Sequence, residues 1–149
     1  IARPFAEAEL YRSQLDDVLA ANPGCATPTF AMMRHTAVYD SADQWMVPVE
    51  AAQRQLSQFE NLFKNLGDVQ DGFPAAIPMD QVTNAADYEP TTLSENLLFG
   101  TPDEVITKLR RYEALGVDEF IYYASLGLGL KEQKRSMQLF CDEVIPAFK

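Results

Sequence analysis

The chain offers few groups suited to chemistry, and its single histidine, His35, comes first. An imidazole titrates near neutrality, which fits it for proton transfer. His35 stands within residues 30–39, a run that reads as a largely buried strand, so a structural or pocket-lining role is the plainer expectation. Arg34 precedes it. Strand alternation sends neighbouring side chains to opposite faces, so the two cannot both enter one pocket. Arg34 is expected to pair with a carboxylate. Tyr122, Tyr123 and Ser125 form a second group, at the end of a second apolar strand. One tyrosine must face each side of the sheet, and the sequence leaves open which. Gly127 and Gly129 follow, and a plain turn is expected there.

Other chemistries are poorly served. One histidine and no G-x-S-x-G leave no nucleophile triad. Cys25 and Cys141 lie far apart and no metal-ligand spacing occurs, so no metal is expected. Gly127-Leu128-Gly129 lacks the third glycine of a dinucleotide fingerprint. Asp16-Asp17, Asp103-Glu104 and Asp142-Glu143 fall on helix starts or solvated faces and not in a glycosidase arrangement. With 12 basic against 22 acidic residues and a net charge of -10, the surface repels nucleic acid and anionic membranes alike. No apolar run approaches the ~20 residues a bilayer needs. Two isolated thiols fit a reducing compartment, and a cytoplasmic location is expected.

The elements that must position these groups are legible. In a chain of 149 residues, 47% hydrophobic and 11% aromatic, one core is affordable and disorder is excluded. Residues 4–20 read as a helix with Phe5, Ala8, Tyr11, Leu15 and Val18 on one face. Asn22-Pro23-Gly24 stops it. After the strand at 30–39, Pro48 is expected to interrupt a helical start, and Val49, Ala52, Leu56, Phe59, Phe63 and Leu66 mark the next helix, closed by Gly67. Residues 67–96 are rich in proline, glycine and carboxylates without a period, as in a mobile lid or binding loop. Thr101-Pro102-Asp103-Glu104 is a capping box that opens a helix burying Val105, Leu109 and Tyr112 and ending at Gly116. The strand at 120–125 is apolar on both faces, and a last helix at 131–147 buries Met137, Phe140, Cys141, Val144 and Ile145. Buried strands alternating with helices predict an α/β fold with parallel pairing. Two such strands do not cover themselves. Together with Ile1 at the start, this gives the expectation of a piece of a larger α/β domain.

Three stretches carry a family resemblance: Phe-Gly-Thr-Pro-Asp-Glu-Val from Phe99, Leu-Gly-Val-Asp-Glu-Phe-Ile from Leu115, and Asp-Glu-Val-Ile-Pro-Ala-Phe from Asp142. Together they resemble the C-terminal end of luciferase-like flavin-dependent monooxygenases. Arg34 to Asp43 resembles that family's seventh strand and the turn after it. The resemblance implies the last portion of a (β/α)₈ barrel of the TIM type, residues 1–149, with 67–96 as an insertion or lid. A whole barrel needs about 250 residues. It implies an enzyme using reduced FMN, supplied by a flavin reductase, and dioxygen to oxygenate a small apolar organic substrate. The N-terminal part of the same barrel would be its partner, and the assembly a homo-oligomer. Alternatives are a deazaflavin-dependent oxidoreductase of the same superfamily, a non-catalytic flavin-binding homologue, or an inactive fragment. No catalytic residue is named. Tyr122, Tyr123, Ser125 and His35 are the candidates for lining a cofactor or substrate pocket, because barrel strands end at the catalytic face.

Overall fold

A computed structural model describes residues 4–65, 67–82, 85–124 and 127–149. Its centre is a parallel sheet of β1 (Ala31–Val38), β4 (Leu98–Gly100) and β5 (Glu119–Tyr123), in the order β4-β1-β5. The two neighbours of β1 grip different halves of it. Ala31 to His35 pair with Glu119 to Tyr123, and Thr36 to Val38 pair with Leu98 to Gly100. Asp118 closes the lower end, its backbone N–H donating to Phe30 O at 2.9 Å and its carboxylate accepting from Phe30 N–H at 2.8 Å. Parallel α/β structure is therefore present as expected. The third strand, β4, was not expected.

Helices cover both sides. On one face α4 (Pro102–Ala114), α5 (Leu130–Leu139) and α1 (Phe5–Ala21) enclose Ala8, Met32, Val38, Leu98, Val105, Leu109, Tyr112, Leu139, Phe140 and Val144. On the other, α2 (Met46–Lys64) and α3 (Pro90–Asn96) pack over Ala37, Tyr39 and Phe99 through Val49, Ala52, Leu56, Leu93 and Leu97. This second cover is partial. Met33, Ile121 and Tyr123 stay substantially exposed, so β5 is not enclosed on both faces as its composition suggests.

Local chemistry explains most boundaries. Glu104 accepts the Thr101 backbone N–H at 2.8 Å, which completes the capping box at the start of α4. Gly116 follows that helix at φ +84°, a conformation that side chains disfavour. Pro48 does not interrupt α2. It lies in the first turn, where a missing N–H costs nothing, and the helix begins at Met46. The left-handed residue ending α2 is Asn65 (φ 52°) and not Gly67. Phe63 points into solvent, as do Tyr11 and Val18 of α1.

Residues 67–96 hold more order than their composition suggests. A short antiparallel hairpin joins β2 (Val69–Gln70) to β3 (Phe73–Pro74), and 3₁₀ turns at Met79–Gln81 and Ala85–Tyr88 lead into α3. The last helix also departs from expectation. After Leu139 it widens into a π turn over Phe140–Val144 and ends as 3₁₀ over Ile145–Phe148. The Ile145 N–H reaches back to Phe140 O, and Pro146 has no N–H with which to restore α spacing. The change of pitch rotates the buried face. Ser136, Leu139, Phe140 and Val144 are enclosed, while Met137, Cys141 and Ile145 face outward.

No helix among the described residues is long and apolar enough to cross a membrane.

Candidate functional site

The alternation of β1 and β5 decides the question the sequence left open. Tyr122 points toward α5. Its hydroxyl lies 2.7 Å from Ser136 Oγ, and its ring meets Phe140 edge-on with centroids 4.8 Å apart. Ser136 is buried for a definite reason. Among the described residues the β1–β5 pairing ends at His35, and the Val38 N–H donates to Ser136 Oγ at 2.7 Å. Burial raises the Tyr122 phenol above its ordinary pKa, with the Ser136 hydrogen bond acting against this and Cys141 adding to it. Tyr122 is therefore part of the packing beneath α5.

Tyr123 faces the other way and meets His35. The two are register partners across the β1–β5 ladder, with ring centroids 4.4 Å apart and planes at 51°. His35 is buried and Tyr123 is 40% exposed, so the pair forms the wall of a cleft with its open side on Tyr123. Met33 extends this wall, and Gln55, Leu56 and Phe59 of α2 form the opposite one, enclosing about 250 Å³. Ser125 lies outside the described residues. Two residues singled out in the sequence, His35 and Tyr123, line this cleft. The α2 half was missed because Gln55 and Phe59 read as an ordinary flank and stripe of an amphipathic helix. Only the fold brings them over β1.

Arg34 borders the cleft but does not pair with a carboxylate among the described residues. Its guanidinium lies over the Tyr112 ring at 5.6 Å and donates to Met33 O at 2.9 Å. Its Nε has no partner among the described residues.

A second concavity of about 320 Å³ opens at the C-terminal end of β1, between Tyr39, Asp40, Gln44, Leu128 and Arg135. Arg135 of α5 clamps Asp40 with the Nε–Nη2 edge of its guanidinium, with Nε 3.1 Å from each carboxylate oxygen. That contact holds the Asp40 carboxyl below its ordinary pKa. Tyr39 is pushed up to about 12, chiefly by burial and then by Glu104. A phenol so held keeps its proton at physiological pH and does not act as a base. Gly127 (φ +72°) stands near Ala51, and Leu128 after it lines this opening.

Lys108 was not anticipated either. Its ammonium donates to three main-chain carbonyls, Ser94 and Leu97 at the end of α3 and Phe99 in β4. Burial lowers it to about 8, against the opposing pull of Glu104 and Glu95. It ties α3 and β4 to α4 and lies away from the cleft. No cluster of metal ligands occurs among the described residues.

The fold and cleft define an α/β unit with an aromatic pocket against a parallel sheet. Comparison with known proteins adds a direction. The chain is 30% identical over 121 residues to the oxygenase component of a flavin-dependent trigonelline monooxygenase from Acinetobacter baylyi. The match covers 81% of this chain and 34% of that protein, so the chain spans about a third of its relative's length. No family model matches the chain.

Proposed function

We propose that this chain is the C-terminal part of a luciferase-like, flavin-dependent monooxygenase, and that the His35–Tyr123 cleft contributes one wall of its pocket. The observation that carries the reading is the convergence of these two rings on the exposed face of β1 and β5, in a chain distantly related to an oxygenase component. In a complete (β/α)₈ barrel that face turns inward, and β1 and β5 would be its seventh and eighth strands. Met33, Ile121 and Tyr123 would then be covered by strands supplied from the N-terminal part of the barrel.

The cleft suits a flat, apolar ring. Its walls are aromatic and aliphatic, and its polar groups are His35, Gln55 and the edge of Arg34. Among the described residues it offers no cluster of cations for a phosphate, and Arg34 is turned toward Met33 O and Tyr112. These residues fit the ring of reduced FMN or of the substrate, with the phosphate held elsewhere in the barrel. When bound, the reduced flavin supplies the electrons that activate dioxygen. Tyr123 and His35 would orient a ring by stacking. Leu56 and Phe59 of α2 would exclude water, which protects an oxygenation from wasteful side reactions. The partners that follow are a flavin reductase, dioxygen and a small organic substrate, within a homo-oligomer in the cytoplasm.

The test uses the full-length protein with reduced FMN delivered by a reductase. Oxygen consumption coupled to an oxygenated product is expected. Oxidation of substrate without oxygen uptake, dependent on a deazaflavin, would replace this reading with hydride transfer. Absence of any flavin binding would remove it.

A further inference from the structure

The His35–Tyr123 cleft continues past α2. A second groove of about 210 Å³ runs between α2 and the β2–β3 hairpin, lined by Phe59, Leu62, Phe73 and Pro74. Gln55 and Phe59 line both spaces, so the two meet at these residues. The inner space carries the polar groups, and the outer one is apolar apart from glutamine amides.

The outer wall is anchored. Asn61 of α2 is buried and donates from Nδ2 to Asp68 O at 3.0 Å and Ala75 O at 2.9 Å. Its Oδ1 accepts the Gly67 N–H at 2.8 Å. A Cβ on Gly67 would stand only 3.0 Å from Ile77 Cγ2, so the chain there is pressed against the buried Ile77. Phe73 and Leu62 nevertheless remain 73% and 58% exposed. Two large apolar side chains are thus presented to solvent on a backbone fixed by three hydrogen bonds. At the junction, Gln55 Oε1 is withdrawn from solvent and accepts no hydrogen bond from any described residue. A buried acceptor left unpaired is costly, and a donor on a ligand would relieve it.

We propose that the two spaces form one elongated ligand site. Building on the oxygenase reading, its substrate is an organic molecule with a planar head bearing an N–H or O–H donor and an unbranched apolar tail. The head lies against Tyr123 and His35 and donates to Gln55. The tail lies between Phe59 and Leu62 of α2 and Phe73 of the hairpin.

Binding of the alkyl esters of 4-hydroxybenzoate, methyl to hexyl, to the full-length protein tests this. Affinity is expected to rise by about fourfold per methylene. Phe73→Ser, at an exposed position, should reduce that increment to below twofold and leave the methyl ester unchanged. Asn61→Ala, which frees the hairpin, should do the same, and Gln55→Leu should weaken every ester by a similar factor. Affinity independent of tail length, or an increment untouched by Phe73→Ser, would overturn the proposal. Flavin binding measured on the same samples separates the two readings. Tail dependence without flavin binding supports this site and removes the oxygenase reading, and flavin-dependent turnover without tail dependence does the reverse.

Discussion

His35 and Tyr123 are direct partners across the β1–β5 ladder, and their rings touch on the face away from α4 and α5. The adjacent pair, Arg34 and Tyr122, is in the same register but turned to the opposite face. One step along two strands therefore separates a pocket wall from a packing layer.

Opposite responses are expected from the two tyrosines. Tyr122→Ala removes a half-buried ring and should cost about 3 kcal/mol in urea unfolding, the low end for a large aromatic. Tyr122→Phe loses only the Ser136 contact, about 1 kcal/mol. Tyr123→Ala should cost less than Tyr122→Ala but weaken flavin or substrate binding. Equal losses of stability with unchanged binding would show that β5 is scaffold alone.

Lys108→Met should destabilise the fold by about 1–3 kcal/mol, because three carbonyls lose their donor. Its pH signature is separate. The folded-state value of about 8 lies below the ordinary 10.5, so between them the unfolded chain holds the proton more firmly. Stability should rise with pH across that window in the native protein. The Met variant should lack this rise. Unfolding curves at pH 7.5, 9 and 10.5 compare the two, and parallel slopes would contradict the assignment.

Asn61→Ala should accelerate amide exchange at Gly67 and Ala75 by at least tenfold while leaving α4 protected. Hydrogen exchange read by mass spectrometry measures it. Unchanged exchange would mean the hairpin holds itself.

Thr101→Ala should lower stability by about 1 kcal/mol through loss of the capping hydroxyl at the start of α4. Thr101→Ser should recover most of it. The pair is measured by thermal unfolding.

What could be read from the sequence was local. Thr101, Pro102 and Glu104 announce a helix start by their own hydrogen-bonding chemistry, and Val105, Leu109 and Tyr112 announce its buried face by spacing. What escaped depends on distant partners. Leu98–Gly100 is too short to show a period and is a strand only because Thr36 to Val38 lie beside it. The enclosed face of the last helix could not be read through Phe140–Val144, because a π turn breaks the 3.6-residue rhythm. His35 and Tyr123 were candidates from position, but their meeting needed the register. Gln55 and Phe59 needed α2 to fold back over β1. Ser136 needed α5 to bring its hydroxyl to the Val38 N–H.

The split grip on β1 has a consequence for biosynthesis. The Phe30–Asp118 clasp spans 88 residues. A ribosome adding about 5–20 residues per second completes β5 roughly 4–18 s after β1 emerges. For that interval Met32 and Met33 lie in the half of β1 that has no native neighbour, while Thr36 to Val38 wait only until β4 emerges. Nascent β1 is thus a waiting template, exposed to mispairing with other chains, and a holding chaperone would find its target there.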